Sequence, residues 1–163
     1  MDIAQTIKDA VTTLGVEHEF LDCDPDLADT VAFCAHYGYE LDESANTIVV
    51  ASKRPVGHYA ACVVLANSRL DVNKTVRALM DVKKLSFAPP DVTAEVTGMI
   101  MGGVTPFGLP PDLPLYIDSA VMDCEWVIVG GGSRSLKIKV APEALVAAGG
   151  QVIEGLANPI PPQ

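Results

Sequence analysis

Residues 102–108 read GGVTPFG, and this short stretch is the most informative in the chain. It lies within residues 98–114, where four glycines and four prolines occur in 17 positions. A loop of this composition inside a compact domain is usually functional. Glycines let a ligand lie against the backbone, whose N–H groups can bind a carbonyl or an oxyanion, and Pro106 stiffens the loop. A structural turn without a ligand explains the same residues, so both interpretations stay open.

A second glycine-rich segment, GGGSRS at residues 130–135, is the other candidate binding loop. Three glycines at a strand end allow close backbone approach, and Ser133 and Ser135 offer hydroxyl groups. A plain connection between strands, with Arg134 in solvent, is the alternative. Neither loop carries the Gly-Lys-Ser/Thr of a phosphate loop, and the chain has no Gly-x-Ser-x-Gly elbow for a serine nucleophile.

The hydrophobic patterns predict helices and strands in mixed order. Helices are expected at 3–14, 27–37, 71–80 and 91–97, with N-caps at Asp71 and Asp91 and a last helix opened by Pro142. Strands are expected at 16–23, 47–51, 59–65, 83–88, 115–118, 126–129 and 136–140. Because 163 residues suit one domain, we expect a single α/β domain over 1–163 with a mixed sheet and a proline-rich tail at 151–163.

The net charge of −10 belongs to the N-terminal third of the chain. Residues 1–46 hold eleven acidic residues and one lysine, whereas acids and bases balance in the remainder. This charge argues against a non-specific nucleic-acid binder but not against a local basic face. That face, or alternatively solvated surface charge, would comprise Lys53, Arg54, Lys74, Arg77, Lys83, Lys84, Arg134, Lys137 and Lys139.

Membrane and metal functions find no support in the sequence. The longest apolar runs, such as residues 60–66, are of strand length, whereas a spanning helix needs about 20 residues. The N-terminus lacks a signal-peptide pattern, so we expect a cytoplasmic protein. The four cysteines are widely spaced without Cys-x-x-Cys, and the three histidines lie far apart, so we expect no metal and no cofactor.

Four segments, taken in order, resemble a known family. They are Thr97-Gly98, GGVTPFG at 102–108, Tyr116-Ile117-Asp118 and Gly131-Gly132-Ser133-Arg134. Over roughly residues 3–150 the chain resembles the YbaK/prolyl-tRNA-synthetase-associated domain. The resemblance implies a mixed, barrel-like central sheet flanked by helices around a pocket. It also implies metal-free hydrolysis of the ester in mischarged aminoacyl-tRNA, typically tRNA-Pro carrying a small amino acid.

The resemblance further implies a set of site residues. The backbone at Gly102 and Gly103 would hold the substrate carbonyl or the terminal ribose, and residues near Ser133 would face the aminoacyl side chain. Independently of the resemblance, the place of Asp118 after a strand suits a residue that positions a water or a ligand amine, and equally one that caps the turn that follows. The predicted catalytic residues are Gly102, Gly103 and Asn46. The predicted substrate-binding residues are Thr47, Gly98, Thr105, Pro106, Gly108, Asp118, Gly132 and Ser133.

One departure from the family pattern bears on the reaction. The family commonly has a lysine just before the strand at residues 47–51, but this chain has Asn46 there and no lysine between residues 9 and 52. Asn46 can donate an N–H but brings no charge, and losing a charged oxyanion donor typically costs about a hundredfold in rate. We therefore predict a free-standing aminoacyl-tRNA deacylase with tRNA, and a synthetase, as candidate partners. The alternatives are a silenced binding module of the same fold and a small-molecule hydrolase or binder unrelated to tRNA.

Overall fold

The computed structural model describes residues 2–100 and 102–160. The helices are α1 (Ile3–Leu14), α2 (Thr30–Tyr37), α3 (Arg77–Met80), α4 (Pro90–Thr97), α5 (Ser119–Met122) and α6 (Glu143–Ala147). The strands are β1 (His18–Asp22), β2 (Ala45–Arg54), β3 (Val56–Leu65), β4 (Ser68–Leu70), β5 (Lys84–Phe87), β6 (Leu115–Asp118), β7 (Val127–Gly130), β8 (Leu136–Val140), β9 (Gln151–Ile153) and β10 (Ala157–Pro159). In this part of the chain, no helix has the length and apolar character that crossing a membrane requires.

The central sheet has five strands in the order β5-β2-β3-β6-β9. β2 is antiparallel to both neighbours, whereas β6 is parallel to both of its own. The predicted α/β domain with a mixed sheet is therefore confirmed. The sheet is open, with β5 and β9 at its edges, so it does not close into the expected barrel. A three-stranded antiparallel sheet, β1-β8-β7, packs against it, and β10 pairs with β4.

Both faces of β2 and β3 are covered, which explains the long apolar run within β3. Neighbouring residues of a strand point to opposite faces. Val49 and Val63 pack toward α1 and the three-stranded sheet. Val50 and Val64 pack in the other direction, toward residues 72–76 and the C-terminal segment. β2 is thus a wall shared by two cores.

The ends of α1 and α2 follow the helix-capping rules. Gly15 ends α1 and Gly38 ends α2, both in the left-handed conformation, as the sequence predicts. α2 begins at Thr30, three residues later than predicted, because Pro25–Leu27 form a separate 3-10 turn capped by the Asp24 carboxylate. This turn and the residues that follow it lie along one side of the candidate functional site.

Two other predicted helix starts shift in the structure, and a third keeps its cap but not its helix type. The predicted N-cap Asp91 is wrong, because α4 begins at Pro90 and Asp91 lies in its first turn. A proline suits this place since the first helical N–H needs no partner. Pro142 precedes α6 rather than being its first residue. Asp71 is an N-cap as predicted, but the segment it caps begins as a π-helical turn, Val72–Val76, before α3.

The predicted C-terminal tail is largely built into the fold. β9 pairs with β6 and β10 pairs with β4, so residues 151–159 close one side of the molecule. The buried carboxylate of Asp118 accepts a hydrogen bond from the Ala157 N–H at 3.3 Å and holds this segment in place. Residues 161–163, the last part of the predicted tail, lie outside the described residues.

Candidate functional site

A cavity of about 500 Å³ lies at an uncovered edge of β2. β5 pairs with β2 only from Val50 onward, so residues 45–49 face the cavity along an edge without a β5 partner. Its volume is in the range of small-molecule sites. The remaining walls come from Ala28, Asp29, Thr30, Val31, Phe87, Ala88, Thr93, Gly102, Val104, Gly130 and Lys137. Most of these side chains are apolar, so the few polar groups decide how a ligand is oriented.

Thr47 supplies unpartnered polar groups on the β2 wall. The Val49 carbonyl accepts from the Ala88 N–H at 2.9 Å, so the main-chain groups of Val49 point to this edge of β2 just where its covered part ends. Because the main-chain groups of a strand alternate between its two edges, those of Thr47 point the same way as those of Val49. Within residues 2–100 and 102–160, the buried hydroxyl of Thr47 also has no hydrogen-bond partner. A buried hydroxyl left unpaired costs about 1–3 kcal/mol, but the Thr47 oxygen is almost fully enclosed, so the polar groups that Thr47 presents to this edge are its main-chain N–H and carbonyl.

Asn46 is oriented by a hydrogen bond from the neighbouring wall. Thr30 Oγ1 donates to Asn46 Oδ1, and both residues line the cavity. This bond occupies the amide oxygen and turns the amide nitrogen of Asn46 away from Thr30. The hydrogen bonds of the described residues include none from that nitrogen. Asn46 can therefore donate to a ligand carbonyl or oxyanion.

The two glycine-rich loops pack backbone against backbone. The Gly132 N–H donates to the Gly103 carbonyl at 2.6 Å. A Cβ on Gly103 would lie 2.8 Å from the carbonyl carbon of Ser133, which real contacts do not allow. Gly102 lines the cavity, whereas Gly103 and Gly132 lie behind it in buried backbone. The glycine at 103 is thus required by loop packing, which is the structural alternative that the sequence left open.

Arg134 joins the second glycine-rich loop to the opposite wall. Its guanidinium lies 3.4 Å from the Asp29 carboxylate and donates from Nε to the Pro25 carbonyl at 3.1 Å. Arg134 thereby contacts the first residue of the 3-10 turn and, beyond the turn, Asp29, which together with Ala28 lines the cavity. The interpretation of Arg134 as a solvated side chain is replaced by this positioning contact.

Lys137 does not belong to a solvated basic face, and the expectation that it does is wrong. The residue is 7% exposed, and its Nζ donates to the Ala28 carbonyl at 2.7 Å and lies 5.4 Å from the Phe33 ring centre. Burial lowers the pKa of the Lys137 ammonium below its ordinary value. Neighbouring residues of β8 point to opposite faces, so Lys137 points away from the core that contains Ile138. α2 covers this second face of β8, and sequence patterns do not show that it does.

Three of the predicted site residues line the cavity, namely Asn46, Thr47 and Gly102. The others lie elsewhere: Gly98, Gly103, Thr105, Pro106, Gly108, Asp118, Gly132 and Ser133. Gly98 ends α4 with φ 75°, and Thr105 is buried, its hydroxyl accepting from the Phe107 N–H at 3.4 Å. Burial raises the pKa of the Asp118 carboxyl, whose partner is the Ala157 N–H.

The cysteines and histidines form no site in the part of the chain that the structure describes. No three His, Cys, Asp or Glu side chains there come together as metal ligands. All four cysteines are free thiols, and burial raises the pKa of Cys62 to about 12. The cavity is therefore equipped with amide, hydroxyl, backbone and ammonium groups.

An open mixed sheet with a cavity at an uncovered strand edge, walled by two glycine-rich loops, defines a pocket-bearing α/β domain. The chain belongs to the aminoacyl-tRNA editing domain family, whose model matches residues 24–148. The resemblance inferred from the two glycine-rich loops is thereby confirmed.

Two curated relatives are similar to this chain. The candidate Cys-tRNA(Pro)/Cys-tRNA(Cys) deacylase EbsC of Enterococcus faecalis is 32% identical over 85 residues, covering 52% of this chain and 51% of that protein. The match thus spans about half the length of EbsC. The uncharacterized protein YwhH of Bacillus subtilis is 31% identical over 113 residues, covering 64% of this chain and 71% of that protein.

Two solved structures share the fold over almost the whole chain. The hypothetical protein APE2540 superposes with a TM-score of 0.83 at 25% identity, covering 93% of this chain and 99% of that one. A candidate trans-editing enzyme for prolyl tRNA synthetase superposes with a TM-score of 0.81 at 23% identity, covering 94% of this chain and 96% of that one. The second of these shows the fold alone.

Proposed function

We propose that this protein is an aminoacyl-tRNA deacylase that hydrolyses the ester between a small amino acid and the terminal ribose of a mischarged tRNA. One observation carries the proposal. In a chain of the editing-domain family, the lining of a cavity at the open edge of β2 includes Thr47, with its main-chain groups at that edge, and Asn46, whose amide nitrogen is free. These donors suit an ester carbonyl.

The reaction requires water, a carbonyl and donors for the negative charge that develops. Water attacks the ester carbon, and the carbonyl oxygen becomes an oxyanion that the Asn46 amide and the backbone at Gly102 would bind. The intermediate collapses when the bond to the ribose oxygen breaks, and that oxygen takes up a proton. Apolar residues such as Ala45 and Val104 suit a small aminoacyl side chain.

An exposed basic edge supports tRNA as the substrate. We define it as Lys53, Arg54, Lys83 and Lys84, all exposed at one end of β2 and β5. Arg54 lies opposite Lys84 in the β2–β5 register. The same strand β5 ends at Phe87, which is 55% exposed and lines the cavity. Proteins bind single-stranded nucleic acid with cations that contact the phosphate backbone and with aromatic rings on which the bases stack. The basic edge suits the first role and Phe87 suits the second, at the terminal base.

The finer assignments are part of the proposal. The name of EbsC favours a Cys-tRNA(Pro) or Cys-tRNA(Cys) substrate, and we extend the proposal to tRNA-Pro carrying another small amino acid. We propose action in trans, in the cytoplasm, with any synthetase contact made through the shared tRNA. The predicted residues that do not line the cavity would support the pocket walls rather than touch the substrate. They are Gly98, Gly103, Thr105, Pro106, Gly108, Asp118, Gly132 and Ser133.

The test measures ester loss from a panel of mischarged tRNAs that includes Ala-tRNA-Pro and Cys-tRNA-Pro, with Pro-tRNA-Pro as the correctly charged control. We expect hydrolysis of at least one mischarged species well above its spontaneous rate and sparing of Pro-tRNA-Pro. Asn46→Asp should abolish the activity because it replaces a donor with a negative acceptor, whereas the exposed Asn158→Asp should not. Tight tRNA binding without turnover on any species would overturn the deacylase and support the silenced module.

A further inference from the structure

Lys137 is the single lysine or arginine that lines the cavity within residues 2–100 and 102–160. The other charged residue of the lining, Asp29, is paired with Arg134, and its side chain is 76% exposed. We infer that the Lys137 ammonium binds the ester carbonyl oxygen of the substrate and stabilises the oxyanion formed there. This inference rests on the proposed deacylase function and deepens it by naming a catalytic cation.

The ammonium of Lys137 has donors to spare. It carries three N–H bonds, and the described residues use one, for the Ala28 carbonyl at 2.7 Å. No carboxylate in the described ranges lies within ion-pair distance of Lys137. The Phe33 ring covers one side of Nζ. The remaining donors therefore need an acceptor that the protein does not supply, and the cavity that Lys137 lines can admit one.

The strand pairing brings Lys137 to the cavity. Lys137 lies opposite Gly130 in the β7–β8 register, and Gly130 also lines the cavity. Because Gly130 has no side chain, none from this neighbour stands between Lys137 and a ligand. Asn46, on β2, contributes its amide nitrogen to the same cavity. A carbonyl oxygen in this space would thus meet one charged donor and one neutral donor from different walls.

A purely structural role explains the burial poorly. A single carbonyl needs only a neutral donor, whereas a buried charge is disfavoured by the loss of its hydration. The lowered pKa of Lys137 has this cause. A titratable group that burial perturbs and that lines a cavity is a candidate functional group.

The chemical role needs no further reactant. The oxygen of water forms a bond to the ester carbon while the carbonyl electron pair moves onto the carbonyl oxygen. Lys137 stays protonated and donates to that oxygen. The pair then returns, the bond to the ribose oxygen breaks, and the proton released by the attacking water ends on the ribose hydroxyl. Water and ester are consumed, and amino acid and deacylated tRNA are formed.

Lys139 offers a matched control for Lys137. Both lysines lie on the same face of β8, two residues apart. Lys139 does not line the cavity, and its Nζ lies 4.1 Å above the Trp126 ring centre. Methionine keeps the length of the side chain and removes the charge in both variants. We expect Lys137→Met to lower kcat by about a hundredfold or more and to raise KM, because the ammonium contacts the carbonyl both before and during the reaction, and we expect Lys139→Met to behave as the wild type.

A pH profile separates a catalytic from a structural cation. The charged or titratable groups near Lys137 are Cys23, Cys34, Asp29 and Arg134, and burial raises the pKa of both thiols. If protonated Lys137 is required, enzymatic kcat falls at high pH as Lys137 loses its proton. This alkaline limb should be absent from the residual activity of Lys137→Met and present in Lys139→Met.

Binding of a substrate analogue can be measured without turnover. Calorimetry with alanyl-adenosine, in which an amide replaces the ester, should show at least tenfold weaker binding to Lys137→Met than to the wild type and to Lys139→Met. Equal kcat and equal binding for all three proteins would overturn the role of Lys137 and leave the deacylase standing. A wild type that neither hydrolyses any mischarged tRNA nor binds the analogue would overturn both.

Discussion

Thr30 Oγ1 donates a hydrogen bond to Asn46 Oδ1, which links the first residue of α2 to β2 at the cavity. The bond selects one orientation of the Asn46 amide. Thr30→Val keeps the shape of the side chain and removes the donor, so the amide can rotate. We expect kcat to fall about tenfold, the rate equivalent of about 1.4 kcal/mol, with the fold unchanged.

The control for Thr30→Val is Thr13→Val on α1. The Thr13 hydroxyl also donates one hydrogen bond, to the exposed Asp9 carbonyl, but it lies outside the cavity lining. Steady-state deacylation by both variants and a thermal melt check the prediction. Equal activity of Thr30→Val and the wild type would show that the orientation of Asn46 does not matter for the reaction.

Asn46→Lys tests whether the cavity already has its cation. A second ammonium beside Lys137 raises the cost of charging either one, because like charges in a poorly hydrated site repel. We therefore expect deacylation to fall and the alkaline limb to move to lower pH. The measurement is the pH profile of kcat on the best mischarged tRNA. A gain in activity would indicate a site silenced by Asn46 and would contradict the catalytic role of Lys137.

Gly103→Ala should destabilise the protein through the contact between the two loops. The added Cβ would lie 2.8 Å from the Ser133 carbonyl carbon, and because this neighbour is backbone it cannot simply rotate away. Overpacking of this kind typically costs about 1–3 kcal/mol. Gly103 does not have a positive φ, so the clash acts there without left-handed backbone strain. Urea unfolding measures the loss, and a Gly103→Ala variant as stable as the wild type would refute the clash.

Charge reversal at the basic edge should weaken tRNA binding without changing the chemistry. Arg54→Glu with Lys84→Glu replaces two exposed cations by anions, so KM for aminoacyl-tRNA should rise at least tenfold and lose part of its salt dependence. Turnover of a short aminoacyl-adenosine ester, which does not reach this edge, should stay unchanged. Lys8→Glu on α1, away from the edge, serves as the control. Equal KM values for the double variant and the control would place the tRNA elsewhere on the surface.

The lowered pKa of Lys137 predicts a pH-dependent stability. Between the folded pKa and the ordinary value of 10.5, the unfolded chain binds the proton and the folded chain does not. The free energy of unfolding of the wild type should therefore rise with pH relative to that of Lys137→Met. At pH values below the pKa of Lys137 in the folded protein, both the folded and the unfolded chain carry the proton, so the free-energy cost of burying the charge is fully present. Lys137→Met should therefore be at least as stable as the wild type near pH 7.

Urea titrations at pH 7 and pH 10 check this sign. Lys139→Met, whose charge interacts with the Trp126 ring, corrects for the general effect of losing a lysine from β8. A wild type that loses stability relative to Lys137→Met as the pH rises would contradict a depressed pKa.

Local patterns sufficed for most of the secondary structure. The ends of α1 and α2 follow from Gly15 and Gly38 because a left-handed residue stops a helix at short range. The start of α2 was predicted too early because the composition of residues 25–30 is compatible with both a 3-10 turn and an α-helix. The strands within 151–159 were missed because each has three residues and depends on distant partners in β6 and β4.

The sequence by itself determined the family and the mixed α/β fold, because ordered glycine motifs and strand periodicity are properties of short segments. Of the site residues that it predicted, Asn46, Thr47 and Gly102 line the cavity, and their roles stay predictions. The tertiary structure alone decided which glycines serve packing and which line the cavity. It also decided that Lys137 is buried, although its spacing on β8 is that of a solvent-facing residue. The physical reason is that burial on the second face of a strand depends on what packs there, and α2 comes from a segment a hundred residues away in the chain.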